Sequence, residues 1–247
     1  MGEARHFLII VPTSLIPNWE DELRKWVPNV AQFRFSGDIA KKARERQLYQ
    51  AQASRSAVVI ASYGVCRTSA DVLNTKNGRH WTWPYMILDE AHNIKNSSRK
   101  SSKAIHGINS SHRLLLTGTP VMNKLVDFYN LMDVMSKGTI LDMNQAGFKM
   151  NYQKPIETGR KKCASSYEVH RANMLSKVIR DKTDFWILRR TKDEVNVNAK
   201  NEDGAPGTSK EGPSFPQLPP KNDFVLWCKM TKKQLKIYNG KKASIFL

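Results

Sequence analysis

Tyr85-Met86-Ile87-Leu88-Asp89-Glu90-Ala91-His92, continuing Asn93-Ile94-Lys95-Asn96, is an apolar run that ends on two adjacent carboxylates. Residues 85–88 have the character of a strand buried on both faces of a parallel sheet. In an open α/β sheet, ligands sit outside the carboxyl ends of the strands. Asp89 and Glu90 therefore fall where chemistry is expected. Successive strand residues point to opposite faces, so one carboxylate can hold a metal while the other faces a water. The four letters Asp-Glu-Ala-His are equally compatible with a solvated loop, and the rest of the chain has to decide.

Outward from that stretch, one unit recurs: strand, polar turn, helix. His6-Phe7-Leu8-Ile9-Ile10-Val11 is a buried strand stopped by Pro12-Thr13-Ser14, because proline cannot donate to a ladder. A helix starts near Ile16-Pro17, where proline suits the first turn. Trp19, Leu23 and Trp26 share one face of it, and core packing is the expected role of both tryptophans. Residues 33–35 form a short strand and residues 39–53 a helix with a basic outer face. Residues 57–61 form another buried strand, ending on Ser62-Tyr63, with a helix behind it through Val72. Asn77-Gly78 marks a turn. A helix is expected over residues 98–105 and a strand over 113–116, ending on Thr117-Gly118-Thr119-Pro120. Leu125, Phe128, Leu131, Met132 and Met135 make a helical core stripe. The pattern predicts an α/β fold, a parallel sheet with helices on both faces. Four polar strand tips, Thr13-Ser14, Ser62-Tyr63, Asp89-Glu90 and Thr117-Gly118-Thr119, should then share one rim.

Past Gly138 the pattern changes. Residues 142–158 read as irregular, Arg160-Lys161-Lys162 as a basic loop, and residues 167–182 as a helix with Leu175, Val178 and Ile179 inward. Residues 196–220 are rich in Gly, Pro, Ser, Asn and charge, the composition of a mobile loop. Residues 224–227 read as a returning strand and residues 230–243 as a basic helix. This divides the chain into a core over 1–137, a helical protrusion over 138–195, a loop over 196–220 and a final segment over 221–247.

The 247 residues carry 40 Lys and Arg against 22 Asp and Glu, a formal charge of +18. Such an excess points to a polyanionic partner, most simply nucleic acid. The basic residues cluster at Lys41, Lys42, Arg44 and Arg46, at Arg160 to Lys162, at Lys232, Lys233 and Lys236, and at Lys241 and Lys242. Phosphate contact needs only positive charge on an exposed face, and nothing in these clusters is suited to reading bases. Cys66, Cys163 and Cys228 are far apart and odd in number, so neither a zinc site nor a disulfide framework is indicated. No run is long enough to span a bilayer, and no membrane partner is expected.

The ordered set of motifs resembles the first, RecA-like motor lobe of the Swi/Snf-type ATPases of helicase superfamily two. The resemblance runs over nearly the whole chain. It rests on residues 8–14 with Trp19, on residues 59–63, on the DEAH-box stretch 87–96, on residues 115–120 with Asn123 and Leu125, and on Phe185 to Lys192, which is similar to the family's Leu-Arg-Arg-Thr-Lys signature. Residues 148–152, Pro155-Ile156 and the segment 224–238 are similar to the excision-repair branch that holds the PICH and Cockayne syndrome B groups. The resemblance implies ATP and Mg²⁺ as cofactors and double-stranded DNA, bare or in chromatin, as partner. It also implies a second motor lobe of the same parent chain, and nuclear residence, including on mitotic chromosomes. Asp89 would coordinate Mg²⁺, as the Asp after an apolar strand does in P-loop ATPases. Glu90 would orient or deprotonate the attacking water. His92, Thr117, Gly118 and Thr119 would couple nucleotide to DNA. Pro12, Thr13, Ser14, Ser62 and Tyr63 would meet backbone phosphates, which fix register without reading sequence. Arg189 and Arg190 would sit near the interlobe junction, with a plain structural ion pair as the other reading.

Three departures from the family pattern carry consequences. No Gly-x-x-x-x-Gly-Lys-Ser/Thr occurs among the 247 residues. That phosphate loop is expected upstream of Leu8 in a longer parent. The second lobe with its arginine finger is expected downstream, so this stretch alone should hydrolyse ATP poorly or not at all. Met122 stands where the family usually has Gln. Two other functions compete with the motor: a non-catalytic basic module that binds DNA or protein, and a metal hydrolase built on Asp89, Glu90 and His92.

Overall fold

The computed structural model describes residues 6–118, 124–189 and 223–243. Two compact units divide between Leu188 and Arg189. The first contains a five-stranded sheet in the order β2-β3-β1-β6-β7, where β1 is His6–Val11, β2 Ala31–Phe35, β3 Ala57–Ser62, β6 Trp83–Leu88 and β7 Ser110–Leu115. Every neighbouring pair is parallel. The α/β expectation holds, and with it the common rim: Ile10 lies opposite Leu88 and Ala61, and Leu88 opposite Leu115. A two-residue hairpin, β4 (Thr75–Lys76) and β5 (Arg79–His80), stands apart from the sheet. Asn77 and Gly78 both have positive φ there, as a tight hairpin turn requires.

Alternating strand residues divide the sheet's core into two faces. Ile9, Val11, Val58 and Ile60 pack with Ile16, Trp19 and Leu23 of helix α1 (Ile16–Trp26). Leu8, Ile10, Val59, Ala61, Met86 and Leu88 face the other way. They meet side chains from α2 (Lys41–Ala53), α3 (Tyr63–Leu73), α4 (Lys100–His106) and α5 (Leu125–Ser136). Leu131 and Val134 of α5 join this core, while Phe128, Tyr129 and Met132 turn to a separate cluster with Phe148, Ile156 and Ile179. One helix therefore serves both the sheet and the segment that follows.

That following segment differs from its expectation. Residues 142–158, read as irregular, contain α6 (Gln145–Phe148), a π-helical turn (Lys149–Gln153) and α7 (Lys154–Gly159). Asn144 caps the start by accepting the Gly147 N–H. The Lys154 N–H reaches back five residues to Lys149 O, and this widened turn admits Pro155, which has no N–H of its own to place. Helix α8 (Ser166–Thr183) opens on a reciprocal capping box between Ser165 and Glu168. Its buried residues are Ala172, Ile179 and Thr183, whereas Val178 is exposed. Trp26, expected in the core, is 72% exposed and donates to Glu22 Oε2 at 2.8 Å.

In the second unit, α9 (Lys232–Ala243) is the expected basic helix. Residues 224–227 make no ladder and are exposed, so the strand expected there is not formed. Strand composition alone does not make a strand. Thr119, Met122, Asn123, Arg190 and the segment 196–220 lie outside the described residues. No described helix is long and apolar enough to cross a membrane.

Candidate functional site

The sheet's hydrogen bonding continues past the last residues of its strands. Asp89 N–H donates to Ile10 O at 2.9 Å, Leu116 N–H to Leu88 O at 2.8 Å and Ala91 N–H to Leu116 O at 2.9 Å. The acidic pair is thereby stitched to the tips of β1 and β7. Asp89 is held at each polar atom. Its Oδ1 accepts the Glu90 N–H at 2.9 Å and its Oδ2 accepts the Trp19 indole N–H at 2.8 Å. Its carbonyl oxygen accepts the Tyr63 hydroxyl at 2.7 Å.

Glu90 is in the left-handed region, φ 51° and ψ 49°. That conformation costs an L-residue about 1–2 kcal/mol, and it turns the chain sharply into a 3₁₀ turn, Ala91–Ile94. Its carboxylate lies 3.0 Å from His92 Nδ1. The two are at ion-pair distance but out of line for a hydrogen bond, so Nδ1 has no hydrogen-bond partner. Glu90 and His92 are both half-exposed. The loop behind them is anchored by α5: Asn130, buried, donates to Lys95 O at 2.6 Å. Gln145 of α6 donates to Asn130 Oδ1 at 2.7 Å and to Ser97 Oγ at 2.9 Å.

Around this pair the expected contact residues take different places. Thr13 and Ser14 are exposed in a 3₁₀ turn at the tip of β1, with Pro12 half-buried before them. Ser62 is buried, and its hydroxyl caps α3 by accepting the Val65 N–H. The Tyr63 hydroxyl is taken up by Asp89, and burial, with the nearby Asp89 charge, raises its pKa well above the ordinary phenol value. Ser62 and Tyr63 thus build the rim from inside, where an outward phosphate contact was expected of them. Thr117 is half-buried on the rim, and Gly118 is exposed with open space where a Cβ would stand. Arg189 is exposed and belongs to the second unit.

Trp19, Asn93, Asn130 and Gln145 were not singled out as site residues in the sequence. Trp19 alone carried a usable signal. A half-buried indole N–H needs an acceptor, and a helix leaving the rim could find one there.

Among the described residues no group of three or more His, Cys, Asp and Glu comes together. Two adjacent carboxylates are nonetheless a sufficient protein share for Mg²⁺, which keeps waters and takes substrate phosphates as its other ligands. The oxygen-only character of Asp89 and Glu90 suits that hard cation.

Residues 1–246 match the family model described as SNF2-related domain. The chain is 35% identical over 246 residues to the DNA excision repair protein ERCC-6-like of Danio rerio, covering 96% of this chain and 17% of that protein. It is 35% identical over 241 residues to the protein of the same name from Homo sapiens, covering 95% and 19%. Among solved structures it resembles the Sulfolobus solfataricus SWI2/SNF2 ATPase core in complex with dsDNA, with a TM-score of 0.59 and 27% identity. That match covers 76% of this chain and 34% of the other. The chain therefore spans under a fifth of the length of these curated relatives.

Proposed function

The chain belongs to the SNF2-related family, and from that premise we propose that it forms part of an ATP-driven motor that moves on double-stranded DNA. One observation carries the reading most of the way. The acidic pair and the exposed Thr13–Ser14 tip stand on the same rim, on strands paired directly to each other.

In this proposal Asp89 holds Mg²⁺ and Glu90 orients or deprotonates the attacking water. Bound Mg²⁺ supplies charge neutralisation to the transferring phosphate. Glu90 suits its task because its carboxylate is half-exposed and open to a water, whereas both oxygens of Asp89 already accept a hydrogen bond. His92, Thr117, Gly118 and Thr119 link the nucleotide to the track, supported by the Leu116–Ala91 and Leu116–Leu88 bonds that tie the two tips together. Pro12, Thr13 and Ser14 meet phosphates of one strand, while Ser62 and Tyr63 set the rim's shape. The net charge of +18 favours the same polyanion. Arg189 and Arg190 serve the junction with a second lobe. The motor of this proposal also requires a phosphate loop and a second lobe. Residues 1–137 are the lobe core and residues 138–195 its protrusion. Residence in the nucleus, with chromatin as one form of the substrate, accompanies this reading.

ATP hydrolysis by the full-length protein, measured with and without duplex DNA, tests it. DNA should stimulate hydrolysis, and Glu90→Gln should abolish it with DNA binding retained. Salt-sensitive DNA binding with no hydrolysis in the wild type would instead assign a non-catalytic platform.

A further inference from the structure

The side chain that fixes the Asp89 carboxylate lies on another element, 70 residues away in sequence. Trp19 donates its indole N–H to Asp89 Oδ2 at 2.8 Å, while the Glu90 N–H occupies Oδ1. Each carboxylate oxygen has a second lone-pair direction, so two single donors leave both oxygens able to bind a cation. Together the donors fix the rotation of the carboxylate plane. Trp19 is itself immobilised. Its ring packs against the cluster of Ile9, Val11, Ile16, Val58 and Ile60, under the same sheet that carries Asp89. A rigid indole is thus braced by the sheet and aimed at one oxygen.

We infer that Trp19 is a positioning residue for Mg²⁺, presetting the Asp89 carboxylate so that no ordering cost falls on metal binding; this rests on the motor reading above. Helix α1 follows the Thr13–Leu15 turn directly, so Trp19 also fastens the exposed hydroxyl tip to the metal-binding carboxylate. A group that orients a metal ligand typically contributes 10–100-fold to metal affinity or activity.

The test uses the full-length protein and Trp19→Phe, which keeps a ring and removes the donor. The Mg²⁺ concentration giving half-maximal DNA-stimulated hydrolysis should rise about tenfold, with kcat largely restored at saturating Mg²⁺. Mn²⁺ binding in the presence of a non-hydrolysable ATP analogue, followed by electron paramagnetic resonance, should weaken by a similar factor. Trp26→Phe, on the same helix but with an exposed indole bonded to Glu22, should change neither. A Trp19→Phe protein that melts earlier yet keeps wild-type Mg²⁺ and Mn²⁺ dependence would reduce Trp19 to packing and overturn the inference. Should that variant not fold, fluorotryptophan-labelled wild type gives the answer. Mg²⁺ with nucleotide should then move the Trp19 fluorine resonance and leave that of Trp26 in place, and an unmoved Trp19 resonance overturns the inference. A wild type that neither hydrolyses ATP nor binds Mn²⁺ with nucleotide defeats the motor reading itself, a distinct outcome.

Discussion

Asn93 binds Glu90 twice: its backbone N–H and its side-chain Nδ2 both lie 3.0 Å from the Glu90 carbonyl oxygen. These two hydrogen bonds to one acceptor hold Glu90 in a backbone conformation that an L-residue avoids. The strain sits beside the proposed chemistry, where the surrounding structure overrides it.

Glu90→Gly should therefore separate stability from function. Glycine enters the left-handed region freely, so the variant should match or exceed wild-type stability by about 0.5–1 kcal/mol. ATP hydrolysis should be lost. Chemical denaturation of the variant beside Glu90→Gln, which keeps the strain, checks this; a Gly variant less stable than the Gln variant would refute it.

Asn130 is buried between the acidic loop and α6. Asn130→Ala removes its bonds to Lys95 O and Gln145 at once. The expected loss is about 1–3 kcal/mol. A melting curve should shift down by roughly 2–4 °C for each kcal/mol lost. Hydrolysis should fall as well, because the loop that follows His92 loses its anchor.

Gly159 lies where α7 meets α8. A Cβ there would stand 2.5 Å from Ala172 Cβ and 2.5 Å from Glu168 O, and the latter is backbone that cannot rotate aside. Gly159→Ala should cost about 1–3 kcal/mol through forced separation of the two helices. Limited proteolysis should then cut residues 145–183 first, with the sheet surviving longer.

The three thiols should divide by burial. Cys66 is fully buried in the sheet core, and desolvation pushes its pKa up to about 12. Cys163 and Cys228 are exposed. A disulfide-exchange reagent at neutral pH should label Cys163 and Cys228 promptly, and Cys66 only on unfolding. Equal labelling of all three in the native protein would contradict the core described for β3 and α3.

Much of this was legible in residue patterns. Short runs such as 57–61 and 85–88 are apolar throughout because both faces of a parallel strand are covered. The parallel order then forces Thr13, Asp89 and Thr117 onto one rim. What stayed hidden depends on contacts distant in sequence or on backbone angles. Helical periodicity put Trp19 and Trp26 on one face, but only tertiary geometry sends one indole to Asp89 and the other to Glu22. The left-handed Glu90 has no glycine to announce it. Residues 142–158 read as irregular, yet a π turn admits Pro155 within a helical run, and Gly159 lets that run cross α8 closely. Residues 224–227 have the composition of a strand, yet no ladder among the described residues includes them.

Movement on DNA is the central claim, and displacement of a third-strand oligonucleotide from a duplex measures it most directly. The full-length protein should release the third strand in the presence of ATP and Mg²⁺, and both the Asp89→Asn and Glu90→Gln proteins should leave it bound. Release that is independent of ATP, or undiminished by either substitution, would contradict the motor built on this rim.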